Sequence, residues 1–129
     1  MRTNDSKILT ILRSERGSLQ EISRSSSSGR ADWGDMNVAR IRFPKGADAT
    51  PLLVGLPGGL CSCPHWGTVL KGSIHVRYAD GTEELVRAGE VYYWPPGHTV
   101  WVDEDYEAIE FSPSRAMGEV IEHLKKRLG

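Results

Sequence analysis

The chain is short of the features that would assign it quickly. Among its 129 residues there are only two cysteines, Cys61 and Cys63. Two cannot build a disulfide framework or a zinc ribbon, and their spacing is C-x-C where a ribbon needs C-x-x-C. On an extended strand their Cα atoms would lie roughly 6.5 to 7 Å apart with parallel side chains, poor geometry for a disulfide. Reduced thiols are therefore expected, in a reducing and cytoplasmic setting. An excess of charge is also missing: 16 basic residues against 17 acidic ones leave a net charge of −1, so no basic field recruits nucleic acid or an anionic membrane. No apolar run approaches the roughly 18 residues of a membrane-spanning helix. The opening stretch through Leu12 lacks the apolar length and small-residue cleavage pattern of a signal peptide. A 39% apolar and 26% charged composition leaves one ordinary globular domain.

What is present is periodicity of two. Ala39, Ile41 and Phe43 alternate with Arg40 and Arg42, the pattern of a half-buried strand with a solvated face. Leu52 to Leu56 reads as a short apolar strand closed by Pro57-Gly58-Gly59. Thr68 to Leu70 continues extended, Gly72 marks a bulge or bend, and Ile74, Val76 and Tyr78 alternate with His75 and Arg77. Asp80-Gly81 is a strong hairpin signal, since the tightest hairpin turn needs positive φ at both residues. Glu83 to Arg87 returns, Val91 to Trp94 is an aromatic strand, Pro95-Pro96-Gly97 turns the chain, and two further strands follow around Val100 to Val102 and Ala108 to Phe111. Met117, Val120, Ile121, Leu124 and Leu128 recur at helical spacing, which makes Ser114 to Leu128 an amphipathic helix with Ser114 as its N-cap and Lys125, Lys126 and Arg127 favouring the dipole at its end.

Short strands punctuated by Gly and Pro every eight to twelve residues or so imply a β-sandwich or barrel. Residues 1–30 read as a peripheral segment, with Ile8, Leu9, Ile11 and Leu12 as a short docking element and Ser25 to Ser28 as a flexible link. The barrel would then occupy residues 31–113 and the helix residues 114–129.

Chemistry concentrates in Gly59-Leu60-Cys61-Ser62-Cys63-Pro64-His65-Trp66-Gly67. With the text that follows (Val69 to Val76 around Gly72, the Asp80-Gly81 hairpin, and Gly89-x5-Pro95-Pro96-Gly97-His98) this stretch resembles the cupin family over roughly residues 36 to 112. The resemblance implies an all-β double-stranded β-helix, or jelly-roll barrel, of the RmlC-like kind, with a C-terminal helix, a pocket at one mouth and a homodimeric habit. Cupins carry two His, a Glu and a third His as metal ligands. In this register those positions fall on Gly59, Cys61, His65 and Val100, so Cys61 and His65 stand at ligand positions with other chemistry. Cys63 is an addition, and His98 lies two residues nearer the turn.

Residues 59, 61, 63 and 65 share one face of an extended strand. Cys61, Cys63, His65 and His98 are therefore the candidate metal ligands, for zinc in tetrahedral geometry, or for iron, nickel or copper with one ligand replaced by water. Free cysteines also serve as small buried hydrophobes, and a lone histidine more often satisfies a carbonyl than a metal. His75 and His123 are expected at the surface. Trp66, Tyr78, Tyr93, Trp94 and Trp101 are the candidate walls of a small-molecule pocket, with Tyr93 as a polar positioning group. Glu110, between Ile109 and Phe111, is expected to face solvent unless the register shifts by one. The expected function is a small metal-binding cupin with a small-molecule pocket and no reaction class assigned. The alternatives are a non-enzymatic binding or sensing module, whose metal is structural or absent, and a redox-responsive Cys61–Cys63 pair, which no basic flank supports.

Overall fold

The computed structural model describes residues 19–23 and 26–128. Among them are nine strands: β1 (Leu19–Ser23), β2 (Ser26–Trp33), β3 (Met36–Phe43), β4 (His65–Lys71), β5 (Ser73–Tyr78), β6 (Glu83–Arg87), β7 (Val91–Trp94), β8 (His98–Trp101) and β9 (Tyr106–Pro113). A single helical turn, α1 (Thr50–Leu53), precedes β4, and the helix α2 (Ser114–Leu128) closes the chain. All pairings are antiparallel. They form a six-stranded sheet in the order β1-β2-β3-β9-β4-β7 and a three-stranded sheet in the order β6-β5-β8.

The two sheets face each other across one core. Ala39, Ile41, Val69, Trp94 and Ala108 come from the larger sheet and meet Ile74, Val76 and Val86 from the smaller. This is the jelly-roll arrangement, built as alternation builds it, with every second side chain turned inward. A second cluster lies at one mouth, where Met117 and Val120 of α2 pack on Leu53, Cys61 and Cys63. Among the described residues no helix is long and apolar enough to cross a membrane.

Several local expectations change. Ser26 to Ser28, read as a link, begin β2 and pair with β3 at Ser27↔Arg42 and Ser28↔Ile41. The expected start of the barrel near Ala31 thus falls inside a strand. Backbone pairing, which side-chain composition does not report, extends the sheet here. Ile8, Leu9, Ile11 and Leu12 lie outside the described residues. Leu52 to Leu56 is no strand: Pro51 sits in the first turn of α1, and Gly55 leaves it at φ 105°. Arg40 is not on a solvated face. It is buried and donates to Glu107 Oε2 at 2.8 Å across the β3–β9 pair.

Gly72 does make the bend between β4 and β5, at φ 75°, and an irregularity in the β4–β9 register falls just before it. The Asp80-Gly81 hairpin forms, but with positive φ at Gly81 alone. Gly81 N donates to Tyr78 O, and the Asp80 carboxylate accepts from the Thr82 backbone and hydroxyl. The turn is therefore longer than the two-residue kind. Ser114 opens α2, but its hydroxyl donates to Asp32 Oδ1 at 2.8 Å while its N–H donates to Asp35 O. The residue moors the helix to the end of β2 and the β2–β3 turn.

Candidate metal and ligand site

Three of the four proposed ligands meet. One ligand atom each of Cys61, His65 and His98 lies within 4.8 Å of the others, and all three residues are buried. The backbone brings them together in two ways. Cys61 forms an isolated antiparallel bridge with His98, its N–H donating to His98 O at 2.8 Å while Gly97 N donates to Cys61 O at 2.7 Å. His65 opens β4 opposite Trp94. Cys63 stays outside the cluster, although alternation placed it on the same face. The chain between Cys61 and His65 bends at Cys63 and is not a strand, so the two-residue period breaks there. The Cys63 thiol instead donates to Pro64 O at 3.3 Å and packs among Leu53, Met117 and Val120.

The tautomers follow from the partners. A carbonyl can only accept, so His98 Nδ1–H donates to Pro95 O at 2.7 Å and Nε2 keeps its lone pair. His65 Nδ1 is 2.7 Å from Ser112 Oγ and 3.6 Å from Glu110 Oε2, while its Nε2 is 3.4 Å from Cys61 Sγ. A tetrahedral zinc with bonds of about 2.0 to 2.3 Å would hold sulfur and nitrogen roughly 3.5 Å apart. The pair fits that span, and each imidazole has the outer hydrogen-bond partner that orients a ligating histidine. Burial pushes the His65 pKa down to about 3 and that of His98 down to about 4, with the neighbouring His65 adding to the latter. Both rings are neutral at pH 7, as ligation requires. Burial also holds the Cys61 thiol up at about 11, so a cation binding there would displace its proton.

The cluster opens onto a cavity of about 210 Å³ between the barrel and α2. Of the aromatic residues singled out in the sequence, Trp94 and Trp101 line it and Trp66, Tyr78 and Tyr93 do not. On β7 it is Tyr92 and Trp94 that turn inward, leaving Val91 and Tyr93 outside. Trp66 and Tyr93 stack on each other on the outer face of the sheet, ring centroids 5.0 Å apart and 43% and 50% exposed. The Tyr78 hydroxyl is engaged away from the cavity, donating to Glu84 Oε1 at 2.6 Å. His75 is part-exposed and pairs with Asp103, whereas the His123 ring lies against Gly55 with Nε2 buried.

Glu110 and Arg30, both in the lining, were not among the site residues read from the sequence. Glu110 faces inward with Tyr106, Ala108 and Ser112, accepts a hydrogen bond from Tyr92 at 2.8 Å, and has its carboxyl pKa raised by burial against the opposing pull of Arg30. Ile109 and Phe111 suggested the opposite face as the core side, yet Phe111 is 38% exposed. The small residues Ala108 and Ser112 carried the correct signal, since crowding favours small side chains inside. Arg30, in the segment taken as peripheral, lies on β2 opposite Ala39 and lines the same cavity. Room for Tyr92 to reach Glu110 comes from Gly67. A Cβ there would stand 2.5 Å from Tyr92 Oη and 2.6 Å from Ile109 O.

Neither a family model nor a curated protein matches the sequence. Solved structures do match. An RmlC-like cupin from Shewanella frigidimarina is similar at TM-score 0.55 and 19% identity, over 78% of this chain and 87% of that one. A cupin superfamily protein from Desulfitobacterium hafniense matches at 0.54 and 11%, over 73% and 82%. An oxalate decarboxylase of Bacillus subtilis matches at 0.54 and 15%, over 74% of this chain but 26% of its own. At these identities the likeness establishes the cupin fold.

Proposed function

We propose that this cupin-fold chain binds a divalent transition metal through Cys61, His65 and His98, and that the metal keeps a coordination position open to a small molecule in the adjoining cavity. The observation that carries this reading is the convergence of the three ligand atoms within 4.8 Å on the wall of a cavity of about 210 Å³. One thiolate and two imidazoles suit zinc, and also iron or nickel. Cys63, turned into the apolar cluster, supplies no fourth ligand, which favours an open centre over a closed structural one. When bound, the metal would supply Lewis acidity at the open position. Ser112 and Glu110 hold the His65 ring, Pro95 O holds that of His98, and Tyr92 holds the Glu110 carboxyl in place.

The test is metal analysis of protein purified without a tag or added metal, for wild type, His65→Ala and His98→Ala. About one metal per chain in the wild type, with severalfold loss in both variants, is expected. A wild type that is empty and cannot be loaded sinks the reading. A metal-free binding module is the second reading, favoured by the place of Cys61 in the apolar cluster with Leu53 and Met117; the same measurement decides between them.

A further inference from the structure

Arg30 is the one cationic side chain among the residues lining the cavity, and it is 4% exposed. A buried guanidinium needs partners for its five N–H donors. Here Nη1 donates to Asn37 Oδ1 at 3.0 Å, and Nε has no partner. Among the described residues no carboxylate comes within salt-bridge distance of it; Glu110 is its strongest favourable charge, acting from further off. A second cavity residue repeats the pattern, since Trp94 Nε1–H is buried without an acceptor. Tyr106 Oη, also in the lining, lies near Tyr92 without a well-formed hydrogen bond. These unsatisfied groups belong to residues that line one cavity, whose wall also holds Glu110, Asp48 and Thr99 beside the apolar Ile41, Phe43, Ile74, Val100 and Met117. Donors in excess call for a ligand rich in acceptors.

Charge among the buried groups points the same way. Arg30 and the Glu110 carboxylate cancel, and a divalent metal with one thiolate adds a net +1; Asp48, the other carboxylate of the lining, is exposed and its Oδ1 accepts from Thr50 N–H. With metal bound the buried part of the site would be cationic, in surroundings where an unpaired charge is unfavourable. The cavity is smaller than the roughly 300 to 1,000 Å³ of drug-sized sites, which limits the ligand to a short molecule.

We propose that the cavity takes a short aliphatic carboxylate, with Arg30 as the residue that recognises its carboxylate group and the apolar wall holding its chain. The inference deepens the metal-site reading and rests on it for the net charge. The guanidinium fork matches a carboxylate in two-point geometry, and an amide or amine of the same shape cannot replace it.

The experiment is calorimetric titration of the full-length chain, metal-free and zinc-loaded, with butyrate, butyramide and butylamine as probes. The metal content of each sample is measured alongside. Butyrate is expected to bind the zinc-loaded wild type at least about tenfold more tightly than butyramide, as a charge-assisted hydrogen bond predicts. Arg30→Met is expected to abolish that preference and Arg30→Lys to keep part of it. Equal binding of butyrate and butyramide, no binding of either, or an undiminished preference in a folded Arg30→Met protein overturns the proposal. If Arg30→Met does not fold, Arg30→Lys decides: it should cut the preference for butyrate over butyramide by about threefold or more, and an undiminished preference overturns the proposal. A chain that holds zinc but does not discriminate fails this inference alone. One that discriminates through Arg30 without ever holding metal supports it and sinks the metal site.

Discussion

Strands β4 and β7 carry two stacked aromatic pairs, Tyr92 with Trp94 along β7 and Trp66 with Tyr93 across the two strands, and the pairs have opposite fates. Tyr92 and Trp94 stack inside the barrel with ring centroids 3.9 Å apart, both under a tenth exposed. Trp66 and Tyr93 stack on the outside, and about half of each is in water. The inner pair touches the site: Trp94 lines the cavity and meets the His65 ring edge-on at 6.2 Å, and Tyr92 holds Glu110. Aromatic character alone therefore says little about the pocket. Parity along the strand decides which rings contribute to the core and the site, and a one-residue error in parity exchanges the two sets completely.

The sharpest way to break this contrast is truncation of the inner pair. Trp94→Ala should lower stability by about 3 to 5 kcal/mol, the usual range for a buried large aromatic, measured by urea unfolding of the metal-free protein. A loss below about 1 kcal/mol would mean that Trp94 does not pack as described. Acid comes next in size. His65 and His98 have folded pKa values of about 3 and about 4, below the ordinary 6.5, so below pH 6.5 the unfolded chain takes up protons that the folded chain refuses. Their contribution is complete above that pH and is lost as pH falls toward 4 and then 3. Between pH 7 and pH 5 the loss is about 2 kcal/mol per histidine. Glu110, its pKa raised by burial, works in the opposite direction, since the folded chain keeps a proton there that the unfolded one has released. Unfolding curves of the metal-free wild type and of His65→Gln at the two pH values should show a smaller fall in the variant. The weakest effect belongs to the outer pair. Trp66→Ser should shift stability by less than about 1 kcal/mol and leave metal content unchanged, as a half-exposed ring predicts; a loss matching that of Trp94→Ala would erase the distinction between the two faces.

How much of this was legible beforehand varied with the kind of signal. The barrel and its helix followed from alternation, from glycine and proline spacing and from the resemblance, because those features reflect backbone geometry that every such barrel must satisfy. Gly72 was placed correctly for this reason: its φ of 75° is open to few other residues. Cys61, His65 and His98, proposed together from the sequence, do converge, whereas Cys63 was included because alternation was assumed through a segment that bends. Glu110 was read outward because Ile109 and Phe111 are the more apolar neighbours. Arg30 was missed because a serine-rich run looks unstructured until a partner strand lies beside it. In the last two cases the deciding information is tertiary: which face another element covers, and which edge another strand extends.

Gly67 ties the two faces together. Its neighbour Trp66 is half in solvent, and the position itself looks like an ordinary strand residue without any left-handed backbone requirement. Yet a single added carbon would collide with the Tyr92 hydroxyl and the Ile109 carbonyl, and so displace the group that fixes Glu110 beside His65. In a library substituting every residue at both positions, residue 66 should accept most side chains. Residue 67 should accept glycine alone, making it a point where the tolerance of an outer strand is set by the chemistry of the chamber behind it.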